Sequence, residues 1–485
     1  MRILQVASEV HPYSKTGGLA DMVGALSRAL ARKGHLVDIL TPAYRGVVDR
    51  FPGIRSAQWR FSLWLGSEWV TAELLRHDVE PGLTVWFLNY PRYYDRAGIY
   101  NEHQVDYPDN AARYALLDKV ALLLARYLEP TPAVVHCHDW QAGLVPLLIH
   151  HARVTEGWHA APSTLFTIHN LAYQGWFPAS QWNLTNLPLS WFHRDSAEAY
   201  GQINFLKAGL KLADALSTVS PRYSREICTP EFGCGLEAQL LRREYELTGI
   251  LNGVDYGEWN TTSNPALPFP FSVDALEGKA ANKEALQREL GLPTEPQIPL
   301  FANISRLTGQ KGMDIQLDAL RQMLSEGAQL QFVLLGSGDP ALESAYFEWA
   351  KQNKNRVAVR VGFDSSLAQR IEAAADFYLM PSRFEPCGLN QLYSLRYGTI
   401  PIVRATGGLD DSVVDIRENS DAATGIKFDQ ASGAALAHAI RKALAIFAEP
   451  SLLSQFRRNA MNADFSWERQ ASEYVALYEH LLHEA

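Results

Sequence analysis

A chain of 485 residues exceeds what one ordinary hydrophobic core supports, so about two or three domains are expected. Its composition, 47% apolar and 20% charged, is that of a globular protein, and no apolar run is long enough to span a bilayer. The 44 basic and 53 acidic residues give a net charge of −9, which argues against nucleic acid as the main partner while allowing a local basic site for a small anion.

The N-terminus enters a strand pattern at once (Ile3, Leu4, Val6, Ala7), so no signal or transit segment, and a cytoplasmic location, are expected. The four cysteines, Cys137, Cys228, Cys234 and Cys387, include no CxxC pair, which fits a reducing compartment and offers no disulfide framework or zinc knuckle. The first strand ends at Ser8-Glu9, and the loop HPYSKTGGLAD follows. Met22, Ala25, Leu26, Ala29 and Leu30 then mark a helix face, Gly34 ends the helix, and residues 36–40 read as a second strand. This βαβ opening has neither the GxGxxG of a dinucleotide fold nor the GxxxxGK[ST] of a P-loop. Gly17-Gly18 reads as a tight turn or as a loop that lets a phosphate or sugar meet the backbone, with Lys15 as a point charge.

Residues 61–105 alternate and are rich in aromatics, including Trp64, Trp69, Trp86, Phe87, Tyr93, Tyr94 and Tyr100. Core packing is the expected role for most of them, and stacking on sugar faces is the alternative. Residues 133–135 form a strand running into HCHDW. His136 and His138 alternate on it and share a face, a geometry open to metal, but no further ligand stands at a suitable spacing. Asp139 falls at the strand's end, where a ligand can reach it; residues 165–168 repeat the pattern and end in His169-Asn170. A helix-like run near residue 210 meets a strand at 217–219, and Asn252-Gly253 marks a turn ahead of the linker-like TTSNPALPFP. A domain boundary is expected near 245–260.

The second half restarts the rhythm. Strand-like runs end at Ser305-Arg306-Leu307 with Gln310-Lys311-Gly312 just beyond, at GSGDP (which contains Gly336), at GFD, at PSRFEPCGLNQL and at RATGGLDD. Strands ending in such loops, separated by helix-length segments, predict a parallel sheet flanked by helices. TGGL occurs at 16–19 and again at 406–409, which suggests two similar halves. In residues 381–392 a carboxylate, Glu385, precedes Cys387-Gly388, where a helix start could face an anion. That mixture suits a sugar passing through a positively charged transition state and leaving a diphosphate behind; a solvated surface loop is the alternative. In the tail, Trp467, Ala471, Tyr474, Tyr478 and Leu481 define an amphipathic helix with Ser466 as N-cap, whose apolar face needs a partner surface, expected on the first domain.

These stretches (KTGGLADMVGAL, HCHDWQAGL, FTIHNLAYQG, ILNGVDYGEW, SRLTGQKGMD, LLGSGDP, PSRFEPCGLNQLYSLRYGTIPIVRATGGLDDSV and the C-terminal FSW) resemble those of the bacterial glycogen synthase family and are similar to plant starch synthases over nearly the whole length. The resemblance implies an α/β GT-B architecture: two Rossmann-like domains with parallel sheets facing a deep cleft that closes on substrate, at 1–247 and 254–464, and a C-terminal helix, 465–485, crossing back to the first domain. It implies a retaining glucosyltransferase that extends the α-1,4-glucan of glycogen or maltodextrin from a nucleotide-glucose, usually ADP-glucose. By the same resemblance Glu385 is the essential carboxylate, His169 contacts the transferred glucose, and Arg306 with Lys311 meet the diphosphate. Lys15, with Gly18 beside it, resembles the donor-binding lysine; Asp139 and Asn252 match polar contacts to the sugar. Gly336, Cys387, Gly388, Leu389, Thr406, Gly407 and Gly408 match the loops around phosphate and glucose. The departures are DDSV at 410–413, where ADTV is common, and a shorter segment after Val414.

The residues suit that chemistry. Two cations and helix N-termini can stabilise a leaving diphosphate without a metal. No paired-carboxylate magnesium site is apparent, so no metal and no cofactor is expected, the nucleotide sugar being a substrate. A retaining hydrolase needs two carboxylates about 5–5.5 Å apart; here one Glu, one Asp, one His and two cations are the candidates, so Glu385 is cast as stabilising the sugar cation rather than as a nucleophile. Three alternatives compete. A glucan phosphorylase would carry pyridoxal phosphate on a lysine, visible by absorbance. A non-catalytic glucan-binding protein should have lost Glu385, Arg306 or Lys311, and a hydrolase built on His136 and His138 would hold metal.

Overall fold

The computed structural model describes residues 1–103 and 105–484. They form two compact units: Met1–Gly253 together with Trp467–Ala485, and Val254–Ser466.

The first unit is built on a nine-stranded sheet. Its strands are β1 (Arg2–Val6), β2 (Leu36–Pro42), β3 (Arg55–Leu65), β4 (Glu68–Glu80), β5 (Leu83–Asn89), β6 (Val134–His138), β7 (Ser163–Ile168), β8 (Ala215–Thr218) and β9 (Leu247–Gly249), in the order β9-β8-β7-β6-β1-β2-β5-β4-β3. All pair in parallel except the β3–β4 and β4–β5 pairs, which form an antiparallel edge. Parallel strands sit between helices, so both faces are apolar: β6 and β7 are buried at every residue, whereas the outer half of β3 alternates. Trp86, Phe87, Tyr93 and Tyr94 pack into the core as expected, but Trp64 and Trp69 are a cross-strand pair left more than half exposed at the β3–β4 turn. The tail helix Trp467–Glu484 belongs to this unit and packs on the helix Gly18–Arg32. Trp467, Ala471, Tyr474, Tyr478 and Leu481 are its buried stripe. The entry turn is tight, since a Cβ on Gly253 would lie 2.8 Å from the Trp467 ring.

The second unit carries six parallel strands: β10 (Leu300–Ile304), β11 (Gln331–Gly336), β12 (Val357–Val361), β13 (Phe377–Met380), β14 (Ile400–Arg404) and β15 (Ile426–Phe428), in the order β12-β11-β10-β13-β14-β15. Alternate residues feed opposite layers. Phe301, Phe332, Leu334, Phe377 and Leu379 join one cluster with the helices Met313–Ser325 and Gly433–Phe447. Ala302, Val333, Leu335, Tyr378 and Met380 join another with Leu286 and Ile371. That two-sided burial is why these strands read as unbroken apolar runs. No helix among the described residues is long and apolar enough to cross a membrane.

Candidate active site

In each unit the chain leaves a central strand in one direction and later returns on its other side. In open α/β sheets such a reversal of strand order marks the carboxyl-edge position where ligands bind. In the second unit the break lies between β10 and β13. Arg306 and Lys311 follow β10, and Glu385 follows β13. Lys311 Nζ lies 2.6 Å from Glu385 Oε2, and Ser382 Oγ donates to the same oxygen at 2.9 Å. The Glu385 side chain is 7% exposed and that of Lys311 20%. Arg306 is exposed at the end of β10.

These loops are locked by close backbone approach. A Cβ on Gly312, whose φ is +66°, would sit 2.0 Å from the Pro381 carbonyl oxygen. Arg383 N–H donates to Gln310 O at 2.8 Å, and its guanidinium holds Asp314 through both oxygens at 2.7 and 2.6 Å. Arg404 donates to the carbonyls of Ser382 and Arg383. Gly336 ends β11 against the β10 loop, its absent Cβ only 1.9 Å from Ser305 O, which explains a glycine there by packing alone. Thr406 precedes the short helix Gly407–Ser412, and Leu389 precedes the helix Asn390–Arg396. Cys387 is buried and Gly388 has φ +74°. The two loops interlock: a Cβ on Gly407 would fall 2.0 Å from Glu385 O and one on Gly408 2.2 Å from Cys387 O, while Gly408 N–H donates to Glu385 O at 3.2 Å. Six of the expected donor-binding residues thus form one rigid loop pair around the carboxylate.

In the first unit the break falls between β1 and β6. Glu9, Asp139 and His169 follow β1, β6 and β7, three neighbouring strands, so one edge of the sheet gathers all three. Asp139 has φ +56°, a conformation that costs a non-glycine residue on the order of 1–3 kcal/mol. Its Oδ1 accepts the N–H of His169 at 2.8 Å and of Asn170 at 3.4 Å, which holds the loop after β7. Burial pushes its carboxyl up to about 7, against the pull of those two N–H groups. His169 Nε2 lies 3.0 Å from His138 Nδ1, and burial of the ring lowers its pKa to about 3, so it is neutral. His136 and His138 have all four ring nitrogens engaged: His136 by Thr167 (2.5 Å) and Tyr478 (2.8 Å), His138 by Gln5 (2.6 Å) and His169. Lys15 is exposed and paired with Asp21 at 2.7 Å. Gly18 is the first residue of its helix, and Asn252 is buried beyond β9.

Glu9 was missed by the sequence reading. It is 2% exposed and accepts the Thr16 N–H, the Thr16 hydroxyl (2.6 Å) and the Tyr100 hydroxyl, so it anchors the KTGG loop; burial raises its pKa. Its position at a strand end, the same cue that picked out Asp139 and His169, was the available signal. A cavity of about 640 Å³ in the second unit lies at the opposite edge, before β10 and β13, and is no rival. Its cations are spent on Asp376, with Lys283 at 2.7 Å and Arg457 at 2.6 Å, and on carbonyls that hold Lys279.

Residues 2–242 match the family model described as starch synthase catalytic domain, and 282–462 match glycosyl transferases group 1. The chain is 48% identical over 482 residues to a glycogen synthase of Anaeromyxobacter sp. (strain Fw109-5), covering 99% of both, and 43% identical over 479 residues to that of Koribacter versatilis, covering 99% of this chain and 98% of the relative. Among solved structures, the catalytic domain of starch synthase IV from Arabidopsis thaliana, bound to ADP and acarbose, superposes with a TM-score of 0.89 at 32% identity, covering 99% of each chain. Sucrose-phosphate synthase from Thermosynechococcus elongatus, at 19% identity and TM-score 0.61 over the full length of both, shares the fold. The chain belongs to the glycogen synthase family of glycosyltransferases.

Proposed function

We propose that the protein transfers glucose from ADP-glucose to the non-reducing end of an α-1,4-glucan, with retention at the anomeric carbon and without a metal. The observation that carries this reading is the Lys311–Glu385 pair at the switch point of the second sheet. As the bond from C1 to the diphosphate oxygen breaks, negative charge grows on the diphosphate and positive charge on the sugar. Lys311 and exposed Arg306 are the cations assigned to the first. Glu385, held on one oxygen by Lys311 and Ser382, is assigned to the second. The acceptor hydroxyl then bonds to C1 on the face the diphosphate leaves, and its proton passes to the departing phosphate oxygen. A covalent route would need a second carboxylate about 5–5.5 Å from the first; Asp314 and Asp410, in the helices that follow these loops, are taken by Arg383 and Lys427. The starch synthase relative was solved with ADP, which favours an adenine donor.

The test is incubation with glycogen and either ADP-glucose or UDP-glucose, with EDTA present, reading chain length and the anomeric configuration of the new linkage. Extension from ADP-glucose through α linkages is expected. No extension from either donor would sink the assignment; preference for UDP-glucose would overturn the donor, and loss of activity in EDTA the metal-free route.

A further inference from the structure

The histidine assigned to the sugar is held from behind by a buried chain of side chains drawn from three adjacent strands. Gln5 on β1 meets His138 on β6, and His138 meets His169 at the end of β7: Gln5 Oε1 to His138 Nε2 is 2.6 Å, and His138 Nδ1 to His169 Nε2 is 3.0 Å. Gln5 and His138 are fully buried. A second column runs beside the first, from Tyr478 through His136 and Thr167 to Ser217, with the His136 and His138 rings 4.1 Å apart. A neutral imidazole has one donor and one acceptor nitrogen, so a single fixed end determines every proton in such a chain. The fixed end is the Gln5 carbonyl oxygen, which only accepts. His138 must therefore donate from Nε2 and accept at Nδ1, which obliges His169 to donate from Nε2. Among the described residues, no cation or carboxylate hydrogen-bonds to a side chain of either column. Burial keeps both histidines neutral, so neither nitrogen pair can donate twice.

We propose that His138 is a positioning residue for His169: anchored on Gln5, it takes up the Nε2–H of His169, fixes the ring, and leaves Nδ1 as a hydrogen-bond acceptor for a hydroxyl of the transferred sugar. An unanchored ring would divide between two tautomers and two orientations, and only part of the population would meet a sugar hydroxyl with a lone pair. The sugar contact rests on the glucosyl-transfer reading above; the tautomer does not.

The experiment uses the full-length protein labelled with ¹⁵N-histidine. Long-range ¹⁵N–¹H correlation spectra read the tautomer of His169, assigned by loss of its signals in a His169→Gln variant. The Nε2–H form is expected. Two variants then separate positioning from packing. His138→Leu removes the acceptor, and His138→Asn restores one, because the asparagine amide oxygen can stand where Nδ1 stood. His138→Leu should scramble the His169 tautomer and lower kcat about 10- to 100-fold with little change in KM for glucan, and His138→Asn should recover both the tautomer and most of the kcat. A His169 found as Nδ1–H in the wild type would mean that Gln5 presents its amide NH₂ and would overturn the proposal. So would a His138→Leu protein with wild-type kcat, or an Asn variant as impaired as the Leu variant. If the wild type transfers no glucose at all, the functional reading fails, while the spectrum still decides the tautomer.

Discussion

TGGL stands at the start of a helix in both units, yet the two copies are built oppositely. In the second unit Gly407 and Gly408 are wedged against the carbonyls of Glu385 and Cys387, with no room for a Cβ. In the first, Gly17 has nothing within 4 Å of its missing Cβ and an extended φ of −156° that any residue adopts. Glycine is demanded by the fold at both positions of the second copy and by nothing in the fold at Gly17 of the first. The surroundings differ in the same sense. Around Glu385 the polar groups are ionic and clamped by arginines; around the His169 ring they are neutral, buried and strung on hydrogen bonds, with one acid, Asp139, on the backbone beside it. A polymerising site needs a place that tolerates charge separation and a place that holds an uncharged sugar by its hydroxyls. In the reading proposed above, the charge separation is assigned to the loops of the second unit and the sugar hydroxyls to those of the first.

The ionic half should break most severely. Glu385→Gln is expected to lower kcat by about a thousandfold, or ~4 kcal/mol of transition-state stabilisation. Lys311→Gln should cost a similar factor, but the two variants should differ in stability. Glu385 is the more buried partner, so removing Lys311 strands a charge away from water, whereas removing Glu385 leaves a lysine that can reach solvent. Thermal unfolding should therefore show Lys311→Gln as clearly the less stable of the two. Equal melting temperatures would mean the pair is not a buried ion pair in solution, and kcat values near wild type would remove Glu385 and Lys311 from the chemistry.

The glycine contrast gives a second, smaller test. Gly408→Ala must displace backbone at Cys387, since its Cβ would fall 2.2 Å from one atom and 2.5 Å from the next; a stability loss of about 1–3 kcal/mol is expected, with activity falling alongside. Gly17→Ala should leave unfolding within about 0.5 kcal/mol of wild type, because it meets nothing. Its effect, if the space serves substrate, is a raised KM for the nucleotide sugar at near-normal stability. A Gly17→Ala protein with wild-type kinetics would return that glycine to being a simple turn.

The strand ends, the loops that carry Lys15, Asp139, His169, Arg306, Lys311 and Glu385, and the buried stripe of the tail helix were all legible in the sequence, because each is a local pattern of apolar period and loop composition. What was not legible depends on strand order. Nothing local says that β13 lies beside β10, which is what brings Glu385 to Lys311, 74 positions earlier. Nor does any local cue pair His138 with His169 or with Gln5, 133 positions away, so His136 and His138 read as a possible metal pair when their nitrogens are taken by Thr167, Tyr478, Gln5 and His169. Gly336 and Gly407 read as ligand loops; a carbonyl contributed by another strand's loop also demands glycine at each, which no local pattern shows.

The neutral half offers the subtlest test, because its acid is kept at a cost. Asp139 is buried in a strained conformation, and its carboxyl is pushed from 3.8 up to about 7, with burial the largest cause. A carboxyl whose pKa is higher folded than unfolded binds its proton more tightly in the native state. Its favourable contribution is complete below about 3.8 and is lost as pH rises through about 7. At pH 8 the native chain therefore carries an ionised group worth up to ~4 kcal/mol of strain at 1.36 kcal/mol per pKa unit. Asp139→Asn removes the titration but keeps an oxygen to accept from His169 and Asn170. The variant should unfold at a higher temperature than wild type at pH 8, and the gap should shrink by roughly half or more by pH 5. Transfer activity should fall about 10- to 100-fold over the same range. A gap that does not change with pH, or a less stable variant at pH 8, would show that Asp139 is not held above its ordinary range. A more stable but slower enzyme would show that the fold retains this carboxylate for the reaction, since nothing in the packing of β6 requires its charge.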